Sequence, residues 1–349
     1  MKKVLITGGC GFIGSNLVRY LIENHPDYQF INLDALTYAG RRENLSGLER
    51  LPNYRFVHGR IEDTKVVEPI MREGIDTVLH LAAESHVDRS IDDGGAFIRT
   101  NVEGSYVLLD LARRNDVKTF VQISTDEVYG SLGAEGRFTE NSPIDPSSPY
   151  SASKASADLI ALAFNHTWGM NVMITRCSNN YGPYQFPEKM IPLFITNAFE
   201  DQQVPVYGDG MNIRDWIHVI DHCRAIEMVW KNGKAGEVYN VGADNERTNI
   251  ELTRMILKDC GKDESLMRYV KDRPGHDRRY AIDSAKIRSQ IGWLPSFDFE
   301  QGLKDTISWY KANTDWWRKI KLNDPNYRAF CERLYGAAPK LGKSAIAEK

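Results

Sequence analysis

An α/β fold, in which a doubly wound parallel sheet carries a smaller, interleaved α/β substrate-binding domain, is predicted by three features of the chain. Apolar, strand-like runs (VLIT, YQFINLD, DTVLHLAA, VKTFVQIS and NVMITRCSN) alternate through the first half with helix-like stretches such as IGSNLVRYLIEN. That apolar density suits strands covered on both faces by helices. After about Tyr181 the pattern breaks into proline- and glycine-punctuated segments, YGPYQFPEKMIP and VPVYGDGMNIRDW, before a strand-like GEVYNVG returns at 236–242. The third feature is a glycine-rich turn directly after the first run. These segments divide the chain into a nucleotide-binding domain over 1–182, with 215–246 returning to it, a second domain over 183–214 and 247–335, and a flexible tail over 336–349. No internal repeat is evident.

The composition is that of an ordinary globular chain: 349 residues, 42% hydrophobic and 26% charged, long enough for two substantial cores. The net charge of −3 comes from 44 basic and 47 acidic residues without a long block of either sign, so neither a nucleic-acid nor a membrane surface is expected. Five scattered cysteines, with no CxxC pair, favour reduced thiols and a cytoplasmic protein. MKKVLITGG enters a strand-like run without a signal-peptide apolar region, and no stretch reaches membrane-spanning length.

The opening turn, TGGCGFIG, reads equally well as G-x-G-x-x-G on Gly9, Gly11 and Gly14 or as G-x-x-G-x-x-G from Gly8. Glycines there let a pyrophosphate approach the backbone amides at the start of the next helix, which carries Ile13, Leu17 and Leu21 on one face. The turn follows a strand, opens a helix and leads to Asp34 at the end of the second strand. Together these make the first domain Rossmann-type and its ligand a dinucleotide. A carboxylate at Asp34 accepts hydrogen bonds from ribose hydroxyls and repels a 2′-phosphate, favouring NAD over NADP. Arg41 and Arg42 lie close enough to keep NADP open, but a solvated loop explains them better.

Two acids, Asp126 and Glu127, stand side by side in STDEVYG, where the strand-like run VKTFVQIS should end. Further on, SSPYSASKASADLIALAF begins with serines and Pro149, a helix-start signal. Tyr150 and Lys154 are then neighbours one turn apart. An ammonium beside a phenol favours phenolate, which makes Tyr150 a candidate base near neutral pH.

TGGCGFIG, HLAAESHVDRSI, STDEVYG, SPYSASKASAD and RCSNNYGPYQFPEKMIP together resemble the extended short-chain dehydrogenase/reductase family, and within it the nucleotide-sugar dehydratases. The match continues through VPVYGDGMNIRDWIHVIDHCRA and DRPGHDRRYAID, from about Lys2 to Trp309. It implies NAD-dependent dehydration of dTDP-glucose to dTDP-4-dehydro-6-deoxy-glucose by oxidation at carbon 4, loss of water across carbons 5 and 6, and hydride return at carbon 6. The alternatives are a related UDP- or GDP-sugar dehydratase or a 4-epimerase. A noncatalytic NAD-binding regulator would explain the glycine turn and Asp34, but would not require Tyr150, Lys154, Asp126 and Glu127 together. Within the family, epimerases lack both acids and GDP-mannose dehydratases keep only the glutamate, so the Thr-Asp-Glu triplet points to the dTDP-sugar branch.

By the same resemblance, Tyr150 is the base at the 4-hydroxyl, Lys154 holds the nicotinamide ribose, Thr125 bonds the 4-oxygen, Glu127 is the base at carbon 5 and Asp126 the acid at the 6-hydroxyl. Neighbouring strand residues face opposite ways. The strand must therefore end by Asp126 if both acids are to reach one sugar. Cofactor contacts are implied at Gly8, Gly11, Phe12, Ile13, Gly14, Asp34, Leu36, Thr37, Ile61, Leu81, Ala82, Ala83, Ser85 and Thr100, besides Tyr150 and Lys154. Nucleotide-sugar contacts are implied at Ser85, Thr125, Asn179, Lys189, Tyr207, Arg214, Asn249, Arg273 and His276, the arginine forks suiting a diphosphate. A homodimer is implied through the helix carrying Tyr150 and the one beginning near Asn101; LIALAF has more apolar surface than one core-facing stripe requires.

One segment departs from the family. HGRIEDT places Arg60 before Ile61, where an acid usually stands beside the adenine, so either the backbone, Glu62 or Asp63 substitutes, or the adenine is bound more loosely. His218, His222 and Cys223 have the look of metal ligands, but the chemistry requires no metal and helix packing is the better reading. The aromatic-rich ISWYKANTDWW is expected to be packing.

Overall fold

In the computed structural model, which describes residues 2–272 and 275–335, the first half forms β1 (Lys3–Thr7), α1 (Phe12–Asn24), β2 (Gln29–Asp34), β3 (Tyr54–His58), α2 (Thr64–Met71), β4 (Thr77–His80), α3 (Val87–Asp92), α4 (Gly94–Phe97), α5 (Ser105–Arg114), β5 (Thr119–Thr125), α6 (Pro149–Trp168) and β6 (Val172–Cys177). A π-helical segment, Ile98–Gly104, leads into α5. The chain continues through β7 (Asn179–Tyr181), α7 (Met190–Phe199), β8 (Val204–Tyr207), β9 (Ile213–His218), α8 (Val219–Asn232), β10 (Val238–Val241), β11 (Glu246–Thr248), α9 (Asn249–Asp259) and β12 (Met267–Val270). It closes with α10 (Ala285–Ile291), α11 (Phe299–Ala312), α12 (Thr314–Asn323) and α13 (Pro325–Tyr335). The tail expected over 336–349 lies outside the described residues.

Seven parallel strands form the main sheet in the order β10-β6-β5-β4-β1-β2-β3. Its two faces are sealed by separate cores. Val4, Ile6, Leu79, Val121 and Ile123 pack with Leu17 and Leu21 of α1 and Ile226 of α8, while Leu5, Val78, Phe120 and Ile174 pack with Leu108 of α5 and Phe164 of α6. This two-sided burial is why the strands read as unbroken apolar runs. The sheet order reverses between β1 and β4, and a crevice opens at the carboxyl ends of the strands there.

The remaining strands stand apart from this sheet. β9 pairs with β7 in parallel and with β11 in antiparallel, and β12 pairs with β8. A third core, with Leu193, Phe194, Ile256, Leu303 and Trp317, joins α7, α9, α11 and α12. The aromatic stretch is packing as expected: Trp317 is fully buried, and Trp309 and Trp316 meet Tyr184 edge-on. His218 stacks on Phe297 with ring centroids 3.8 Å apart, while His222 bonds Asn180 Oδ1 at 2.9 Å, so the two histidines serve different contacts. No described helix is long and apolar enough to cross a membrane.

Candidate active site

The glycine turn is shaped by contacts that exclude a side chain. Gly8 sits at φ +75°, and a Cβ on it would lie 2.7 Å from the Ala82 backbone; one on Gly14 would lie 2.1 Å from the Gly8 carbonyl. Gly8, Gly11 and Gly14 line the crevice, whereas Gly9 is turned onto Asn32, whose Oδ1 accepts its N–H at 3.0 Å. The reading from Gly8 is therefore the one the backbone adopts. Behind the turn, Thr7 Oγ1 and His80 Nδ1 are 2.7 Å apart, and His80 Nε2 is 3.0 Å from Ser105 Oγ. Burial presses the His80 pKa down to about 3, so it holds the ends of β1 and β4 together as a neutral ring.

Asp34 ends β2 with both oxygens engaged: Cys10 N–H donates to Oδ2 and Leu36 N–H to Oδ1, each at 2.8 Å. Burial raises its pKa despite these two donors. At φ 50° Leu36 turns the chain so that its amide secures Asp34; Thr37 lines the crevice, and Leu36 lines the adjoining hollow with Thr37 and Tyr38. At the Arg60 departure, Asp63 is occupied in capping α2 through Lys65 N–H, leaving Glu62 as the carboxylate in the wall, 3.5 Å from Arg60.

β5 ends at Thr125, and a single 3-10 turn, Asp126–Tyr129, follows at once. The expected strand end is therefore observed. Thr125 Oγ1 accepts Glu127 N–H at 3.3 Å and lies 3.4 Å from Asp126 Oδ1. Asp126 is 2% exposed and its Oδ2 has no hydrogen-bond partner among the described residues. Its pKa is driven well above the carboxylate range by burial first, then by the neighbouring charges of Glu127 and Asp215.

Opposite the turn, α6 starts as the sequence predicts. Pro149 opens it, and Ser148 and Ser151 form a capping box. Tyr150 is buried against Phe97 with ring centroids 6.2 Å apart, and Lys154 Nζ donates to the Ile123 carbonyl at 2.7 Å. The expected lowering of the Tyr150 pKa is not observed: the phenol is pushed well up by burial and then by Glu127. The reason is the closed surroundings of the phenol: burial dominates, and the Glu127 charge adds to it.

Every other expected site residue among those described lines the same crevice: Phe12, Ile13, Ile61, Leu81, Ala82, Ala83, Ser85 and Thr100 toward the glycine turn, and Asn179, Lys189, Tyr207, Arg214, Asn249 and His276 beyond the acids. Arg273 lies outside the described residues. Lys189 Nζ donates to the Ser85 carbonyl at 3.1 Å, and the Arg214 guanidinium donates to the Ile213 and Asp277 carbonyls with the Tyr280 ring centre 4.3 Å away. Asn179 Oδ1 and Asn249 Oδ1 are buried without a hydrogen-bond partner among the described residues, two acceptors suited to a ligand's donors. Sequence reasoning missed Tyr38, Glu188, Cys177 and Tyr280. Glu188 is buried with Arg89 Nη2 at 2.8 Å, and Arg89 in turn lies 4.1 Å from the Tyr38 ring centre. The signal for these residues is adjacency to stretches already singled out: Tyr38 follows Thr37, Cys177 lies in the RCSNN stretch, Glu188 precedes Lys189 and Tyr280 lies in DRRYAID.

A family profile described as GDP-mannose 4,6 dehydratase matches residues 5–306. A dTDP-glucose 4,6-dehydratase of Streptomyces niveus is 51% identical over 92% of this chain and 96% of its own. The crystal structure of a dTDP-glucose 4,6-dehydratase from Streptomyces venezuelae, solved with NAD bound, superposes with a TM-score of 0.89 at 49% identity, covering 91% of this chain and 99% of that one. The UDP-glucose 4-epimerase of Thermotoga maritima follows at 32% identity and TM-score 0.84, over 89% of this chain and 99% of that one.

Proposed function

Because the chain belongs to the nucleotide-sugar 4,6-dehydratase family, we propose that it converts dTDP-glucose to dTDP-4-dehydro-6-deoxy-glucose with NAD as cofactor. The observation that carries this reading is the acid turn: a buried Asp126, its carboxyl pushed well above the carboxylate range, beside Glu127 and facing Tyr150 across one crevice. The cradle under Gly8 and Gly14 and the carboxylate of Asp34 fit a dinucleotide. NAD, when bound, supplies the two-electron acceptor that is restored by the end of the cycle. The chain supplies the proton chemistry.

Tyr150 takes the proton of the 4-hydroxyl as carbon 4 becomes a ketone, and it does so only as the phenolate, a form that burial and the Glu127 charge make scarce; the Thr125 hydroxyl bonds the same oxygen. The ketone acidifies the hydrogen on carbon 5, which Glu127 removes. The bond from carbon 6 to oxygen then breaks, and the Asp126 proton turns the departing hydroxide into water. A charged Asp126 could not do this, which is why the raised pKa matters. Return of the hydride to carbon 6, with a proton delivered back to carbon 5 from Glu127, completes the 6-deoxy product. Arg214 is read as a diphosphate contact; residues 1–182 with 215–246 form the cofactor-binding domain, which also carries the acids and Tyr150, and 183–214 with 247–335 complete the sugar-nucleotide pocket. Incubation with dTDP-glucose, UDP-glucose and GDP-mannose, followed by mass spectrometry, tests the reading: dTDP-glucose loses water fastest, and no loss from it would refute the assignment.

Two further properties belong to the same reading. The five thiols are all free, which supports a reducing, cytoplasmic setting. Leu159 and Trp168 on α6, Tyr106 on α5 and Ile98 before it are each at least 50% exposed, an apolar face consistent with a homodimer packed through these helices. Light scattering is expected to give twice the chain mass, and Leu159→Arg to reduce it to one chain. An unchanged mass for that variant would remove the face from the interface.

A further inference from the structure

Behind the acid turn, outside the crevice wall, runs a buried polar chain that this chemistry does not use. Asp158 stands on α6 one turn beyond Lys154 and accepts a hydrogen bond from Arg176 Nε at 2.9 Å, both side chains being almost wholly buried. Arg176 lies on β6 paired with Ser124, the residue before Thr125. Its Nη1 donates to Tyr129 Oη at 3.0 Å, and Tyr129 donates to Asn240 Oδ1 on β10 at 2.8 Å. The Tyr129 ring stacks on Phe138 with centroids 5.1 Å apart, and Asn240 is itself fixed by Glu140 and the Phe138 carbonyl. Tyr129 is the last residue of the 3-10 turn whose entry Thr125 caps.

A buried ion pair is a poor stabiliser, because removing two charges from water offsets most of their attraction. What a guanidinium does well is fix directions, since its donors lie in one rigid plane. Here those donors join the helix bearing Tyr150 and Lys154 to the exit of the turn bearing Asp126 and Glu127. From this arrangement we infer that Asp158, Arg176, Tyr129 and Asn240 are positioning residues that hold the elimination acids in register with the oxidation pair. The inference rests on the assignment of Asp126 and Glu127 to water loss.

Replacing Asp158 or Arg176 would strand a buried charge, so the informative change is Tyr129→Phe, which deletes one hydroxyl and keeps the ring. Oxidation at carbon 4 depends on Tyr150 and Lys154, which stay on α6, while elimination depends on the loosened turn. The variant should therefore dehydrate about 10- to 100-fold more slowly, as expected for a small misplacement of reacting groups. Oxidation in a single turnover, read at 340 nm, should change little, and reduced cofactor should accumulate with the melting temperature near that of the parent. Glu127→Gln is measured alongside. If Glu127→Gln fails to separate the two steps, the assignment of the acid turn falls and this inference with it. If Glu127→Gln separates them but Tyr129→Phe slows both equally or neither, the inference alone is overturned. Should Tyr129→Phe not fold, Asn240→Ala, which leaves the tyrosine in place without its acceptor, must give the same split, and equal slowing there overturns the inference as well.

Discussion

Replacement of Glu127 by glutamine is expected to stop the reaction after the sugar has been oxidised, with net dehydration reduced about 10²- to 10⁴-fold, the usual contribution of a positioned base. The amide has nearly the shape of the carboxylate but cannot accept the carbon 5 proton. The turn itself should survive, because the bond that caps it runs from the Glu127 backbone N–H to Thr125 and does not involve the side chain. Oxidation should survive too. The Glu127 charge is the second largest cause, after burial, of the raised Tyr150 pKa, so neutralising it eases the first proton transfer. Absorbance at 340 nm should rise and persist after mixing with dTDP-glucose, while deuterium from solvent should no longer enter carbon 5. A variant that dehydrated at the parental rate would show that another group is the base.

Much of this site is legible in the sequence because its parts are local. Strand, glycine turn and helix are consecutive between Lys3 and Asn24, the capping serines sit next to Pro149, and the strand ends within one residue of the acids. The conflict between adjacent carboxylates and the alternation of a strand already required that ending. What was not legible depends on residues far apart in sequence. Arg89 and Glu188 meet across 99 positions, and Tyr129 and Asn240 across 111. No periodicity encodes such pairs. The electrostatics of Tyr150 follow the same rule: the spacing of Tyr150 and Lys154 shows a shared helix face, but the burial and the Glu127 charge that raise the phenol come from elements outside α6. Leu36 shows the limit at a single residue, because only its backbone angle reveals that its amide secures Asp34.

Asp126 sets function against stability. Its carboxyl can donate only while protonated, so water loss is supported below its folded pKa and declines as pH rises through it. Burial, with Glu127 and Asp215, places that pKa well above the carboxylate range, while Arg214 opposes them in part. Asp215 is itself raised to about 6, so above that pH it is charged and reinforces the shift. Between the unfolded and folded values of Asp126 the folded chain holds a proton that the unfolded chain does not, and stability falls as pH rises through that window. Asparagine carries no such proton. Asp126→Asn should therefore lose about 10²- to 10⁴-fold in dehydration, along with the alkaline limb that the aspartic acid contributes. At pH 8 its melting temperature should rise by about 1–2 °C, and the gain should vanish near pH 4. Calorimetry at the two pH values, run beside the rate profile, decides the matter. A variant equally destabilised at both would mean that Asp126 is held for packing, and an unchanged alkaline limb would assign that limb to another group.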